Sequence, residues 1–173
     1  MEKDSITFKA RLEKFSGDLW GHHIVVPDEV ALPLIKAGRK RNKSLFDGSI
    51  ETHSALMPMG DGSYFININK DIRSKLGLRL GSTLTVTLSP DTSKYGMEMP
   101  EEFQVLLDQD QEGAQWFHAL TPGRQRSLIY IVAKYKNPDK RLEKANVILE
   151  FLKWNQGKLD FKALNQAFKD ANK

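Results

Sequence analysis

The sequence predicts an α+β protein in which a small β-barrel, made of two strand–helix–strand repeats, precedes a C-terminal helical bundle. Before Pro100, apolar and polar residues alternate in short runs separated by turns that contain Gly or Pro, a pattern typical of half-buried strands. After Pro100, apolar residues recur at helical spacing behind helix-start signals. We therefore expect a β-barrel domain over residues 1–95 and a helical domain over residues 96–173.

The strand-rich half contains several runs with the two-residue period of a strand. Ile6, Phe8 and Ala10 alternate with polar residues, and Asp47-Gly48 supplies a turn inside a later run. Residues 59–63 form a strong turn signal, because two glycines flank an aspartate there. The predicted strands cover residues 6–12, 22–26, 44–55, 64–68 and 84–88.

Four helix starts are marked in the second half of the chain. Pro100 is expected at a first helical position, with the following acidic residues facing the helix dipole. Thr121, Asn137 and Asp160 each have the side chain of a helix N-cap. The apolar stripes predicted for the bundle core are Phe103, Leu106 and Leu107; Leu128, Ile131, Val132 and Tyr135; Leu142, Ala145, Leu149 and Leu152; and Leu164 and Phe168.

An internal repeat links two segments of the strand-rich half. The matched apolar pairs are Ile24 with Ile66, Val26 with Ile68, Val30 with Ile72 and Leu34 with Leu76. In both copies a strand leads into a short amphipathic helix, then a glycine, then another strand. One such unit cannot bury its own apolar face, whereas two can close over each other into a barrel.

Composition excludes several classes of protein. The chain of 173 residues has no cysteine, which excludes disulfides, thiol catalysis and Cys-based metal sites. The N-terminus is charged at once, so no secretory signal is expected. No apolar run approaches the ~18 residues of a membrane span. We expect a cytoplasmic protein without a cofactor and without a membrane span.

Metal ligands are not predicted. His22 and His23 are adjacent on a predicted strand and therefore point to opposite faces. The acidic run from Asp108 imitates the start of a calcium loop, but its twelfth position is Ala119 rather than the glutamate that such a loop needs. This run is expected at a junction between two helices.

Two groups of basic residues are the candidate nucleic-acid-binding residues. The first group is Lys36, Arg39, Lys40, Arg41 and Lys43, and the second group is Arg73, Lys75 and Arg79. Each group falls in or after the helix of one repeat, so a pseudo-twofold axis could bring both to one face. The net charge of +4 is modest for a protein built on phosphate contacts. The alternative for each group is a solvated turn.

The segment INKDIRSKLGLRLGSTLTV resembles the strand–helix–strand element of AbrB/MazE-type barrels. More closely, residues 6–95 resemble a bacterial domain family of unknown function. The residues that carry this resemblance are Trp20, Val26, Pro27, Glu29, the LMP-GDG-Y turn from Leu56 to Tyr64, and the strand from Gly81 to Asp91. In DNA-binding AbrB-type barrels, basic residues around the strands and turns meet phosphates, which implies that role for the two basic groups.

The second half, with PEEF, ALTPGRQRSLIYIV and NPDKR, resembles the YdeI/OmpD-associated family labelled "bacteriocin-protection". That family has Trp-Ile where this chain has Tyr130-Ile131, and Thr-Arg where it has Lys140-Arg141. Arg141 is therefore the residue that carries over. Neither resemblance implies a catalytic residue.

Three functional hypotheses follow. The first is a non-catalytic binding or interaction module with a protein partner, which the second resemblance would place in stress or bacteriocin tolerance. The second is a DNA-binding regulator that uses the two basic groups. The third is an enzyme or small-ligand binder with a pocket near Trp20 and Trp116 at the junction of the two domains. Enzymatic activity stays open, since catalytic carboxylates can meet only in the fold.

Overall fold

A computed structural model of the chain describes residues 4–16 and 21–172. The chain divides into two units, Met1–Gly96 and Met97–Lys173. The first unit is built from strands with two short helices, and the second unit is helical. The protein is therefore of mixed α+β class, with its β-sheets in the N-terminal part and most of its helices in the C-terminal part.

Two four-stranded sheets make up the first unit, with strand orders β1-β8-β4-β5 (sheet A) and β2-β3-β7-β6 (sheet B). All the ladders in them are antiparallel. The elements are β1 Ile6–Arg11, β2 Glu13–Lys14, β3 His22–Val26, α1 Asp28–Lys36, β4 Arg41–Phe46, β5 Ile50–Ala55, β6 Met57–Pro58, β7 Tyr64–Asn67, α2 Lys70–Leu76 and β8 Thr83–Pro90.

The pairing registers show a twofold relation between the two repeats. In the β3–β7 ladder Ile24 lies opposite Ile66, and in the β4–β8 ladder Leu45 lies opposite Thr87. Both pairs are 42 positions apart, the offset of the sequence repeat. Each strand of one copy thus pairs with the equivalent strand of the other, as a pseudo-twofold axis through the two ladders requires.

One apolar core is shared by both sheets and both helices of this unit. Sheet A contributes Phe46 and Val86, sheet B contributes Ile24 and Ile66, and α2 contributes Ile72. All eight apolar positions of the repeat belong to this cluster or pack against it. No ladder joins the two sheets within the described residues, so the expected closed barrel is not found, although the two sheets enclose a common core.

The stretch over residues 44–55, predicted as one strand, is a hairpin of β4 and β5. Asp47 and Gly48 both have positive φ, 50° and 65°, the conformation of tight hairpin turns. The Ser49 N–H donates to the Phe46 carbonyl and closes the turn. A single strand over this range was wrong because the turn residues reverse the chain rather than bend it.

The second unit contains five helices in the described part of the chain: α3 Glu101–Gln109, α4 Gln111–His118, α5 Pro122–Ala133, α6 Pro138–Trp154 and α7 Phe161–Ala171. The predicted caps of α5, α6 and α7 are confirmed, because Thr121, Asn137 and Asp160 each accept a backbone N–H of the first helical turn. Asp110 caps α4 and separates it from α3. The acidic run therefore does lie at a helix junction.

Helix α6 lies at the centre of the contacts in this unit and packs against each of the other four helices. Ala145, Leu149 and Leu152 are buried as expected, but Leu142 is 43% exposed and does not belong to the core. Ile148 is buried instead, because it lies one turn before Leu152 and one turn after Lys144 on the same helix face. Within the described residues, no helix is both long and apolar enough to cross a membrane.

Gly157 is predicted to be essential for the turn after α6. Its φ is +79°, and a Cβ there would lie 2.7 Å from Cε3 of Trp116. The left-handed backbone and the clash together should make Gly157→Ala destabilising by about 2 kcal/mol or more. Urea unfolding of the full chain measures the change.

The matched control is Gly123→Ala in α5, where a Cβ would meet no atom within 4 Å. This helical position should gain up to about 1 kcal/mol. Equal unfolding midpoints for the two variants would contradict the role of Gly157.

Candidate binding surface

The outer surface of sheet A is lined mainly by polar and basic side chains. In β1 the residues that pack against the core are Ile6, Phe8 and Ala10. Successive residues of a strand point to opposite faces, so the intervening Lys9 and Arg11 lie on the outer face. Both are exposed.

Strand β4 adds two more cations to the same surface. Its inward residues Asn42, Ser44 and Phe46 are buried, so Arg41 and Lys43 face outward. The four residues Lys9, Arg11, Arg41 and Lys43 are called the cationic face below. Strand β8 lies between β1 and β4 and separates the two pairs of cations.

Hydroxyl groups fill the space between these cations. On β8, Thr83, Thr85, Thr87 and Ser89 occupy the outward positions. Thr7 Oγ1 lies 2.9 Å from Thr87 Oγ1, which confirms that β1 and β8 present these side chains on one side. The surface therefore combines cations with hydroxyl groups, two kinds of hydrogen-bond donor.

The register places these groups at regular steps along β8. Arg11 lies opposite Thr83 and Lys9 opposite Thr85 on one side of the strand. Lys43 lies opposite Ser89 on the other side. Successive outward positions are about 6.6 Å apart, and the series from Thr83 to Ser89 spans about 20 Å. The cations form a diagonal row rather than a converging cluster.

Carboxylates near this surface are paired. Glu51, the one acidic residue within the four strands of sheet A, lies 3.5 Å from Lys43 Nζ. Asp91 has a side chain that is 3% exposed, and its Oδ2 lies 2.7 Å from His53 Nδ1.

Arg41 Nη2 donates to the Gly96 carbonyl at 2.8 Å. These contacts fasten the segment after β8 onto the end of the sheet.

The His53–Asp91 pair is arranged for structure rather than for nucleophilic catalysis. Burial raises the pKa of Asp91, but hydrogen bonds from Ser93 and His53 outweigh burial and hold that pKa below its ordinary value. Ser93 donates to Asp91 through both its backbone N–H and its hydroxyl. A serine nucleophile would instead have to face the imidazole.

The first basic group of the sequence prediction is divided by the structure. Arg41 and Lys43 lie on the cationic face, whereas Lys36 ends α1 and Lys40 is exposed in the turn that follows. Arg39 Nη2 donates to Asn42 Oδ1 at 2.9 Å, and Asn42 Nδ2 donates back to the Arg39 carbonyl. Arg39 therefore braces the entry into β4.

The second basic group lies around α2. Arg73 Nη1 donates to the Ile68 carbonyl at 2.8 Å, and Lys75 Nζ lies 3.1 Å from Asp71 Oδ2. Arg79 is exposed in the turn that leads into β8. An open cleft of about 410 Å³ is lined by Lys70, Arg73, Ser74, Gly77, Leu78 and Arg79.

The two basic groups lie at opposite ends of one strand pair. Lys40 immediately precedes β4, and Arg79 precedes β8 by a short turn. Because β4 and β8 are antiparallel, the turns that enter them are at opposite ends. Sequence reasoning missed Lys9 and Arg11, which lie on the sheet surface between these ends. The alternation of apolar and polar residues in β1 predicts that Lys9 and Arg11 face outward. Only the pairing of β1 with β8 shows which other side chains lie beside them.

His22 and His23 have structural environments rather than a metal-binding arrangement. His23 is buried and stacks on Phe15 with ring centroids 3.8 Å apart. Burial and the charges of Arg73 and Lys14 lower the pKa of His22. Among residues 4–16 and 21–172, no group of three or more His, Asp or Glu side chains is placed to hold a metal ion.

Arg141, the residue that this chain shares with the Thr-Arg pair of the YdeI/OmpD-associated family, has a structural role in the second unit. Its Nε and Nη2 donate to the two carboxylate oxygens of Glu102 at 2.9 and 2.7 Å. Its Nη1 donates to the carbonyls of Tyr135 and Lys136 in the turn between α5 and α6. Every nitrogen of the guanidinium is thus engaged in tying α3, α5 and α6 together. The hydrogen bonds from Arg141 lower the pKa of Glu102 to about 2.

An exposed aromatic residue is a further surface feature of the second unit. Trp154 is 83% exposed at the end of α6. It borders an open cleft of about 330 Å³ between α6 and α7, with Val147, Phe151 and Ala167 among its apolar lining residues. The other described tryptophan, Trp116, packs against Gly157. Trp20 lies outside the described residues, so the predicted pocket near Trp20 and Trp116 stays a prediction.

Taken together, these features define a protein of two units, one with a basic sheet surface and one with a helical bundle tied by an ion pair. Residues 8–88 match the family model described as Domain of unknown function (DUF1905). Residues 96–153 match the model described as Bacteriocin-protection, YdeI or OmpD-Associated. Both matches confirm the resemblance of each part of the chain to its family and are consistent with the two-part architecture, but they do not show the AbrB/MazE-like barrel. A search of the curated proteins finds no match to the chain.

The Glu102–Arg141 ion pair predicts a pH-dependent contribution to stability. The folded pKa of Glu102 is about 2, below its ordinary value of 4.5. The ionised carboxylate therefore stabilises the fold above pH 4.5, and this contribution is lost as pH falls through about 2. Glu102→Gln should lower the melting temperature near pH 7, and its difference from the unsubstituted protein should shrink towards pH 2.

The control for this measurement is Glu112→Gln, at an exposed carboxylate for which no ion pair is described. Calorimetry over pH 2 to 7 compares the variants. A melting-temperature difference for Glu102→Gln that stays constant down to pH 2 would contradict the assignment.

Proposed function

We propose that this protein is a non-catalytic binding module that holds a nucleic acid by its phosphate backbone on the cationic face. The observation that carries the proposal is the row of Lys9, Arg11, Lys43 and Arg41 on one sheet surface, with hydroxyl groups between them. Lysine and arginine donate charge-assisted hydrogen bonds to phosphate oxygens, and threonine and serine add neutral ones.

The spacing of the row favours a polymeric ligand over a small anion. Its cations are spread over roughly 20 Å of sheet, so a single phosphate could contact one or two of them. A polynucleotide carries a charge on every residue and could engage several cations at once. The positions along β8 recur at about 6.6 Å, which suits a chain of repeated negative groups.

The chemistry of this face favours duplex backbone over single-stranded bases. Proteins that bind single strands stack bases on aromatic side chains. The outward positions of β1, β4, β5 and β8, all of them described, carry no Phe, Tyr or Trp. Binding would then be independent of sequence, because phosphate contacts carry no base information.

We also infer that the first unit is a double-split barrel of the AbrB/MazE type. This inference is supported by the register of the β3–β7 and β4–β8 ladders, each of which places equivalent residues of the repeat opposite one another. The common core of the two sheets supports it further. A cytoplasmic location is part of the same proposal, since nucleic acid is the ligand.

Neutralising two cations of the face should weaken duplex binding and its salt dependence together. For Lys9→Gln with Arg11→Gln, the slope of log K against log salt should become shallower by about 2, since each phosphate contact contributes roughly 0.9. Fluorescence anisotropy with a labelled duplex of arbitrary sequence, between 50 and 200 mM salt, measures both quantities.

The charge-matched control is Lys162→Gln with Lys169→Gln, two exposed lysines of α7. This pair changes net charge equally and should leave the slope unchanged. The proposal fails if unsubstituted protein does not bind at 50 mM salt, or if both double variants lose affinity equally.

A second candidate function is a protein interaction in bacteriocin tolerance through the second unit. Two observations favour it: the match of residues 96–153 to the bacteriocin-protection model, and the exposure of Trp154 beside the cleft between α6 and α7. Aromatic residues such as tryptophan are frequent anchors of protein interfaces. The partner would present an apolar side chain to this cleft.

The second candidate predicts that Trp154→Ser abolishes tolerance without unfolding the protein. The assay is bacteriocin survival in a bacterial host whose tolerance depends on this chain, with melting temperature measured on the purified variant. Tyr130→Ser is the control, because Tyr130 is a similarly exposed aromatic residue of the same unit. Full tolerance with Trp154→Ser, or equal loss with Tyr130→Ser, would exclude the cleft as the interface.

A further inference from the structure

We propose that the cleft along α2 is a separate binding site for a small phosphorylated ligand or another compact polyvalent anion. The cleft is lined by Lys70, Arg73, Ser74, Gly77, Leu78 and Arg79. Three of these six residues are cations, one carries a hydroxyl group, and none is acidic. This inference is independent of nucleic-acid binding on the cationic face, because it uses different residues.

The helix is arranged so that its carboxylate does not neutralise the cleft. Asp71, the one acidic residue of α2, lies 3.1 Å from Lys75 Nζ, and neither residue lines the cleft. Lys70, Arg73, Ser74 and Gly77 recur at three- and four-residue intervals, so they share one side of the helix. The helix thus separates its internal ion pair from a basic side.

Arg73 is held in position before any ligand arrives. Its Nη1 donates to the Ile68 carbonyl at 2.8 Å, and its side chain is half-buried. A fixed guanidinium loses little conformational entropy on binding and can offer its remaining donors to an anion.

The internal repeat shows that the apolar packing of the helix does not need the charges of Lys70 and Arg73. The helix positions 42 residues earlier, in α1, hold Asp28 for Lys70, Ala31 for Arg73 and Leu32 for Ser74. Beyond the helices the left-handed glycines Gly38 and Gly77 are 39 positions apart, so Arg79 corresponds to Lys40. Both helices nevertheless bury the same apolar pair, Val30 and Leu34 in α1, Ile72 and Leu76 in α2. Lys70 and Arg73 are therefore not part of the apolar packing that the two copies share.

The size of the cleft limits the ligand. An open volume of about 410 Å³ accommodates a phosphate group with a small organic substituent, and Leu78 supplies an apolar contact for that substituent. Three cations within one cleft suit two or more negative charges, since each added charge-assisted hydrogen bond strengthens binding. Phosphomonoesters and pyrophosphate are the matching chemical class.

The test uses pyrophosphate as the probe and the full chain as the protein. Isothermal titration at constant ionic strength, adjusted with sodium chloride, should show saturable binding to the unsubstituted protein. Lys70→Gln with Arg79→Gln should weaken that binding at least tenfold. Lys162→Gln with Lys169→Gln removes two charges from exposed lysines of α7, outside the cleft, and should leave the affinity within twofold.

The outcomes separate this site from the cationic face. Duplex binding by the Lys70→Gln, Arg79→Gln variant should keep its affinity and salt slope, while Lys9→Gln with Arg11→Gln should keep its pyrophosphate affinity. The inference is overturned if pyrophosphate does not bind saturably, or if Lys162→Gln with Lys169→Gln weakens binding as much as the cleft variant. It is also overturned if the cleft variant loses duplex and pyrophosphate binding in equal measure, since the cleft would then belong to one continuous anion surface.

Discussion

The antiparallel pairing of β4 with β8 is the constraint on which the first unit depends. These strands come from different copies of the repeat, and their ladder includes the equivalent pair Leu45 and Thr87. The pairing forces Phe46 and Val86 onto the core side together and leaves their neighbours facing outward. Without it neither copy could cover its apolar face, because each contributes half of each sheet.

The same pairing determines how charge is distributed over the surface. Equivalent turns of the two copies lie at opposite ends of the ladder, so basic residues that look similar in the sequence are separated in the fold. The row of cations starts with Arg41 and Lys43 on β4. Lys9 and Arg11 of β1 continue it on the far side of β8. The α2 cleft, at the other end, holds Lys70 and Arg73, which have no basic counterparts in α1.

Local signals allowed much of the fold to be predicted from the sequence, and long-range pairing accounts for what was missed. Thr121, Asn137 and Asp160 act on backbone groups within three residues, so their caps are readable from the chain. Arg141 reaches Glu102 across 39 positions, and Lys9 joins the candidate face only through the β1–β8 register. Leu142 was misplaced because a helical stripe does not show how wide the buried face is.

Comparison of the two repeat copies separates residues that make the fold from residues that can serve a ligand. Positions that are apolar in both copies, such as Ile24 and Ile66, lie in the shared core and tolerate little change. Positions that are basic in one copy alone, such as Arg73 against Ala31, cannot be required by geometry that both copies share. In the second unit, Arg141 binds Glu102 and two backbone carbonyls. Because every nitrogen of this guanidinium is occupied, Arg141 fixes helices rather than binding a partner. In the first unit, ligand-binding residues are therefore expected at positions where the two repeat copies differ.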